Sequence, residues 1–207
     1  MAFELQDIRP EFDFLELTEC LLKAYEDPPQ RFLHIFIPIH RPGAEARKAA
    51  LEEAATRLQQ WHLHEPSSHW QKVVDVQTGK IVGGAAWHIY ETNPFAEPYT
   101  LVADWFPDDS SRVFAELLLN VFTHPDYRRR GIGQQIMDRV MEKADELALE
   151  IFLDATPPGK PLYEANGFVC VEENVTAPTT DHPDDKWREI EQKVSPFTFW
   201  LMRRPVK

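Results

Sequence analysis

A long amphipathic helix that starts directly out of a basic, glycine-bearing turn constrains this chain more than any other feature. Ile136, Met137, Val140, Met141, Ala144 and Leu147 form one apolar stripe across Gly131 to Leu147. A recurrence of about 3.6 residues marks a helix laid against a core. The turn ahead of it reads His124-Pro125-Asp126-Tyr127-Arg128-Arg129-Arg130-Gly131-Ile132-Gly133, and an apolar run of strand length, Phe114 to Phe122, leads into it. A further strand pattern follows at about 149–155. A helix between two strands in this order predicts a right-handed crossover over a sheet.

The flanking sequence extends the same architecture. Residues 3–9 predict a short strand stopped by Pro10. Phe14, Leu17, Leu21, Leu22 and Tyr25 recur at helical spacing between Phe12 and Glu26, and Leu51, Ala54, Ala55, Leu58 and Trp61 do so within 44–62. Phe32 to Ile39 reads as a loop or short apolar run. Trp70 to Val76 and Lys80 to Glu91 predict two strands joined at the hairpin signal Gln77-Thr78-Gly79. Residues 92–111 carry three prolines and no periodicity, which predicts a long loop. Beyond the central helix come a short helix at about 159–166 and a strand at 168–172. An acidic stretch, 174–195, has a short helix around Trp187, and Phe197 to Met202 closes as a strand. The expected class is α/β, an α+β mixed sheet flanked by helices, in one domain spanning 1–207.

Composition matters here because of the three arginines. The chain holds 22 basic against 34 acidic residues, a net charge of −12, yet places Arg128, Arg129 and Arg130 side by side. The acidic balance argues against a nucleic-acid partner and an anionic membrane surface, and it suits a cationic one. The start, MAFELQDIRPEF, has no apolar leader, and no stretch reaches the length of a membrane span. A cytoplasmic protein is therefore expected. Cys20 and Cys170 lie in apolar patterns and are expected in the core; no Cys/His spacing predicts zinc or another metal.

The basic turn has a chemical reading. The first turn of a helix leaves backbone N–H groups unpaired and carries the positive end of the helix dipole. Gly131 and Gly133 would let a ligand approach that backbone without meeting a Cβ. Arginines at a helix start oppose the dipole, so a bound anion would compensate them. A solvated basic helix start is the plain alternative. A P-loop is excluded because no Gly-Lys-Ser/Thr follows. A dinucleotide turn is the nearer rival, since Asp154 ends the next strand 21 residues after Gly133. Ile136, however, fills the position where that motif needs a small residue for close helix–strand packing.

Arg128-x-x-Gly131-x-Gly133 matches the Arg/Gln-x-x-Gly-x-Gly/Ala signature of the GNAT superfamily of acetyl-CoA-dependent N-acetyltransferases. About 30 residues on, Leu162-Tyr163-Glu164-Ala165-Asn166-Gly167-Phe168 resembles that family's Leu-Tyr-x-x-x-Gly-Phe element. The good match covers about 112–173. The resemblance implies a GNAT-like acyl-CoA N-acyltransferase fold with a twisted sheet splayed beside the cofactor. It implies that acetyl-CoA is a co-substrate, its pyrophosphate gripped at Arg128, Arg129, Arg130, Gly131, Ile132, Gly133 and Gln134. Its pantetheine arm would pair with Val121, Phe122 and Thr123 as though it were another strand. The family often carries Asn near Thr156 as a further pantetheine partner; threonine here departs from that.

For catalysis the resemblance points to Tyr163 as proton donor to the departing thiolate, a role that a phenol with an ordinary pKa of about 10 can fill. An alkyl amine is mostly protonated at neutral pH, so a base is also needed. Glu116, Asp154 and His88 are candidates, and a water chain is another; His124 reads as local structure. With no cysteine in either motif, transfer is expected to be direct, through a ternary complex. The acceptor, a small or peptide primary amine, would enter near 92–111 and 174–195. The first loop's Phe95, Tyr99, Asp104, Trp105, Phe106, Asp108 and Asp109 suit a cation with an apolar body. A monomer or a homodimer would serve. Two other classes stay open: a silent acyl-CoA-binding regulatory module, and an oxidoreductase built on the dinucleotide alternative.

Overall fold

The computed structural model describes residues 2–90, 122–123, 125–177 and 179–206. The chain runs β1 (Phe3–Asp7), α1 (Pro10–Glu26), α2 (Leu33–Phe36), α3 (Ala44–His64), β2 (Ser68–Asp75) and β3 (Ile81–His88). It continues with β4 (Phe122–Thr123), a 3-10 turn (Pro125–Tyr127), α4 (Ile132–Glu146), β5 (Ile151–Ala155) and α5 (Lys160–Ala165). Last come β6 (Val169–Thr176), α6 (Asp185–Val194) and β7 (Phe197–Arg204). Among the described residues the strands form two antiparallel sheets, ordered β1-β2-β3-β4 and β5-β7-β6. Among the described residues no ladder joins β4 to β5.

The element order agrees with the expectation, and the differences have local causes. The apolar run at 32–39 contains a one-turn helix, α2, whose Leu33, Ile35 and Phe36 are all buried. Around Trp187 a ten-residue helix forms because Asp184 accepts a hydrogen bond from the Trp187 N–H at 2.8 Å, an N-cap the acidic composition conceals. The strand expected at 168–172 runs on to Thr176 as the sheet's edge. Cys170 therefore corrects an expectation. It is exposed, because an edge strand beside a bulge leaves it uncovered, whereas Cys20 is buried as expected. The strand expected at 114–122, Phe122 excepted, and the loop at 92–111 lie outside the described residues.

Helix α4 packs on both sheets. Its Ile132 and Ile136 pack with Val73, Val82 and Ala85 of the first sheet. Met137, with Met141 alongside, packs instead with Ala155 and Met202 of the second sheet and with Tyr163 and Phe168. Ile136, too large for a dinucleotide turn, thus fills the helix–sheet interface. The other face of the first sheet is covered by α1 and α3, through Leu17, Leu21, Ala54 and Ile81. On that face Lys72 and Asp13 form a buried ion pair at 2.6 Å, their side chains 5% and 4% exposed. The Arg9 backbone N–H also donates to Asp13, at 2.6 Å. Desolvation alone would raise the Asp13 carboxyl, but hydrogen bonds from Arg9 and Lys72 outweigh it and hold it at about 2.

Candidate active site

The turn before α4 carries the geometry of an anion cradle. Gly131 caps the helix in the left-handed region, φ +85°, where an L side chain would be strained. The helix begins at once, and its first turn contains no acidic residue. Gln135 N–H already reaches the Gly131 carbonyl at 3.0 Å. The N–H groups of Ile132, Gly133 and Gln134 find no acceptor among the described residues. Three amides at the positive end of a four-turn helix can bind an anion without any side chain. Beside the turn, Phe122 and Thr123 pair through their backbones with Gly84 and Gly83 of β3. β4 is the last strand of its sheet, so its far edge has no described partner and can take an extended arm as another strand.

Two of the three arginine side chains have partners within the protein. Arg128 turns its guanidinium away from the helix start and donates to the Ala24 carbonyl in the last turn of α1. There it satisfies a carbonyl left open at the helix end and sits at the negative end of that helix's dipole. Arg130 lies over the Tyr127 ring, 5.3 Å from its centroid, and Tyr127 meets Phe3 edge-on. Arg129 is exposed, with φ 61°. Part of the compensation that a bound anion was expected to supply therefore comes from the protein.

Gly133 also gains a second reason. A Cβ there would sit 2.9 Å from Leu162 Cδ2, so with any other residue Leu162 would have to shift where α4 closes on α5. One residue on, Gln134 and Asn166 exchange two amide hydrogen bonds, at 2.7 and 3.0 Å. The two sequence motifs thus clasp one another. The second motif is itself a helix stop. Phe168 N–H donates to the Tyr163 carbonyl at 3.1 Å and Gly167 N–H to the Glu164 carbonyl at 3.1 Å, with Gly167 at φ +84°. That is a Schellman cap, and the Tyr163–Phe168 ring contact at 5.7 Å is its apolar seal. Neither the Leu162–Gly133 contact nor the Asn166 clasp was foreseen from sequence. A conspicuous Asn before the capping glycine was the available signal.

Of the catalytic candidates, Tyr163 is buried against Ala155 and Met202, and burial pushes its phenol up to about 12. Asp154 precedes Ala155 on β5 and so projects to the opposite face of the sheet. Partial desolvation raises its carboxyl above the usual aspartate range, though the side chain keeps contact with solvent. The structure does not bring Tyr163 and Asp154 together. Thr156 follows β5, and its carbonyl accepts from the Gly159 and Lys160 N–H groups at 3.0 Å each, opening α5. Its hydroxyl oxygen would lie 3.3 Å from a Cβ at Gly159, so it packs on the start of that helix. Glu116, Val121 and His124 lie outside the described residues, as do Phe95, Tyr99, Asp104, Trp105, Phe106, Asp108 and Asp109. Among the described residues, no group of three or more His, Cys, Asp or Glu could hold a metal ion, and no helix is long and apolar enough to cross a membrane.

Comparison with known proteins is consistent with this geometry. The family model of the acetyltransferase (GNAT) domain matches residues 67–170. No curated protein matches the chain. Among solved structures, ribosomal-protein-S5-alanine acetyltransferase from Vibrio fischeri is 14% identical, with a TM-score of 0.56, over 100% of this chain and 94% of that one. A GCN5-related N-acetyltransferase from Rhodopseudomonas palustris is also 14% identical, with a TM-score of 0.54, over 100% of this chain and 97% of that one. Spermidine N-acetyltransferase from Vibrio cholerae, in complex with CoA and spermine, is 14% identical over 97% of this chain and 94% of that one, with a TM-score of 0.52. At such identity these structures establish the shared fold. The matched family model, spanning half the chain and containing both clasped motifs, establishes more: this protein belongs to the GNAT family of N-acetyltransferases.

Proposed function

We propose that the protein transfers the acetyl group of acetyl-CoA directly to a primary amine, with a small cationic amine as the acceptor. The observation that carries this is the set of three open amides at Ile132, Gly133 and Gln134 behind the left-handed Gly131. They suit a pyrophosphate, and the edge of β4 beside them, which has no partner among the described residues, suits the amide-bearing arm attached to it. Acetyl-CoA would supply the activated thioester. Amides of residues 129–134 would hold the pyrophosphate, Val121, Phe122 and Thr123 would align the arm, and Thr156 would stand beside it.

Tyr163 is proposed to act at the sulfur. At about 12 its phenol stays protonated throughout neutral pH and always offers an O–H. An ordinary thiol titrates near 8.5, so complete transfer from this phenol is uphill by several kcal/mol, taking about 1.4 kcal/mol per unit. A hydrogen bond that strengthens as charge develops on sulfur is what Tyr163 can give, with water completing protonation. The base is to be sought among the candidates Glu116, which the family resemblance brings near a base position, Asp154 on β5 and His88 on β3. The acidic chain favours a cationic acceptor. The Vibrio cholerae relative, solved with spermine, makes polyamines the first compounds to try.

Thermal denaturation with added nucleotides tests the proposal. A ligand that binds only the folded state stabilises it by about 2.7 kcal/mol at a hundredfold excess over Kd. Acetyl-CoA and CoA should raise Tm by several degrees, while NAD and NADP should leave it unchanged. A shift with NADP alone would support the dinucleotide alternative. A shift with CoA but no acetylation of any amine would leave the silent binding module.

A further inference from the structure

At the far end of β3 from the cradle, His88, Ser67 and Glu65 form a chain of hydrogen bonds. Ser67 Oγ lies 2.8 Å from Glu65 Oε1 and 2.8 Å from His88 Nδ1. The Ser67 backbone N–H also donates to Glu65 Oε1, at 3.1 Å. A hydroxyl has one proton to give, and a carboxylate can only accept. Ser67 O–H therefore donates to Glu65, and its lone pair accepts from Nδ1–H of His88. That order fixes the neutral imidazole as the Nδ1–H tautomer and leaves the Nε2 lone pair open. Tyr90 stacks on the ring at 5.8 Å, with 10° between planes, and steadies it.

The position suits the reacting end of the arm. β3 runs antiparallel to β4, so moving from the Gly83 and Gly84 pairs toward His88 leads away from the cradle. The pyrophosphate-to-sulfur arm of CoA, some thirteen bonds, extends about 15 Å, like four to five residues of chain, so an arm laid from the cradle along β4 runs toward the His88 end of β3. His88 pairs with Ser68 and Lys72 pairs with Gly84, which puts His88 on the face that carries Lys72. α4 and its cradle cover the opposite face. An amine arriving on the α1–α3 side would meet the imidazole.

Resting on the acetyl-transfer reading above, we propose that His88 is the general base for the acceptor amine, held in register by a Glu65–Ser67 relay. Nε2 takes one proton from the ammonium group, and the freed nitrogen pair attacks the thioester carbonyl. The N–C bond forms as the C–S bond breaks, and the thiolate leaves with its electron pair. Of the two protons the nitrogen loses, one ends on sulfur and the other passes from His88 to solvent. Glu65 stabilises the imidazolium through Ser67. The charged and titratable groups around the ring are Glu65 at the end of α3, His62 on α3 and His69 on β2. Desolvation lowers the His88 imidazole, Glu65 opposes that, and His69 and His62 add to it, so the ring is neutral and ready to accept at pH 7.

Two measurements on the full-length protein decide it. Long-range 1H–15N correlation spectra should show the Nδ1–H tautomer for His88, an observation independent of turnover. The pH profile of kcat/KM, with acetyl-CoA and with spermidine, benzylamine and an alanyl peptide as probe amines, should carry an acid limb that disappears in His88→Gln. That variant should lose activity about 10²-fold or more while keeping the CoA-induced Tm shift, which shows that fold and cradle survive. Ser67→Ala should weaken the tautomer preference, and Ser67→Thr should restore it. An Nε2–H tautomer in the unmodified protein, or an unchanged acid limb in His88→Gln, overturns the proposal while leaving acetyl transfer intact. Failure of the unmodified protein to acetylate any probe amine, with the Nδ1–H tautomer present, overturns acetyl transfer itself and the base role with it.

Discussion

In the four-stranded sheet a buried lysine, Lys72, projects from the strand face onto a buried aspartate of α1. In the three-stranded sheet the covered face is apolar but for the phenol of Tyr163, and the buried arginine of β7, Arg204, sits at the strand's end, bound to Asp145 at 2.8 Å through both nitrogens. The difference follows from how the covering helices arrive. α1 lays its first turn, with Asp13 in it, across the sheet, so charge must be neutralised in the interior. α4 and α5 meet the second sheet with their apolar middles and are closed at their ends by backbone caps. One sheet therefore handles protons and charge with side chains, Asp13–Lys72 in the core and His88 at the tip. The other packs apolar side chains against the middle of α4, while the start of that helix, with its open amides, lies against the first sheet beside β4.

The sharpest way to break the contrast is Asp13→Asn, which keeps shape and removes the charge. Lys72 is then buried without a counter-ion, and stability should fall by about 3–5 kcal/mol in urea denaturation. Replacing both residues by apolar ones of similar size should recover most of the loss. The pH dependence has a defined sign. The Asp13 carboxyl is held at about 2, below its unfolded value, so its contribution is complete above about pH 4 and disappears as pH falls through 2. In Asp13→Asn that acid-dependent part of the unfolding curve should be missing.

On the second sheet the corresponding test is Tyr163→Phe, which leaves the Schellman seal against Phe168 in place. We expect kcat to fall about 10²-fold or more, with acetyl-CoA affinity changed by less than about threefold, or 0.7 kcal/mol. Turnover equal to that of the unmodified protein would reduce Tyr163 to a core residue. Because burial raises the phenol to about 12, no basic limb from this residue should appear below about pH 11.

Gly133→Ala separates packing from ligand binding. The added methyl meets Leu162 Cδ2 at 2.9 Å, and since that half-buried side chain can shift, the cost should lie at the low end of overpacking, about 1 kcal/mol. Combining it with Leu162→Ala removes the collision. If the pair recovers its CoA-induced Tm shift, the glycine serves the clasp; if it folds without the shift, the glycine serves the ligand as well. The smallest effect belongs to the other end of α4. Ala148 holds φ 52° in a cap of the same kind as that at Gly167, with Leu149 N–H reaching the Ala144 carbonyl at 2.9 Å. Ala148→Gly relieves that strain and should stabilise the fold by about 0.5–1 kcal/mol, seen as a rise in Tm.

What was legible in the sequence was whatever depends on neighbours along the chain. The apolar stripe from Ile136 to Ala144, the hairpin at Gln77-Thr78-Gly79 and the helix start after Gly131 are set by local periodicity and turn chemistry and stand where they were expected, whereas Leu147, expected in the stripe, lies past the helix end and is exposed. The helix stop at Gly167-Phe168 is local too, which is why the motif around Tyr163 is recognisable at all. Which partner each side chain finds is a different matter. Arg128, 104 residues from Ala24, caps the end of α1, and Gly133 makes room for Leu162. Glu65 and Ser67 meet His88 only because β2 and β3 pair in one register. Asp13 and Lys72, unremarked in the sequence, become an ion pair with both partners buried between a helix and a sheet. Such contacts carry no periodic signature, since an arginine or an aspartate looks the same along the chain whether it faces water, a ligand or a helix end. Local propensity determined the elements and the cradle's backbone; the tertiary packing decided which charges were spent holding it together and which were left for chemistry.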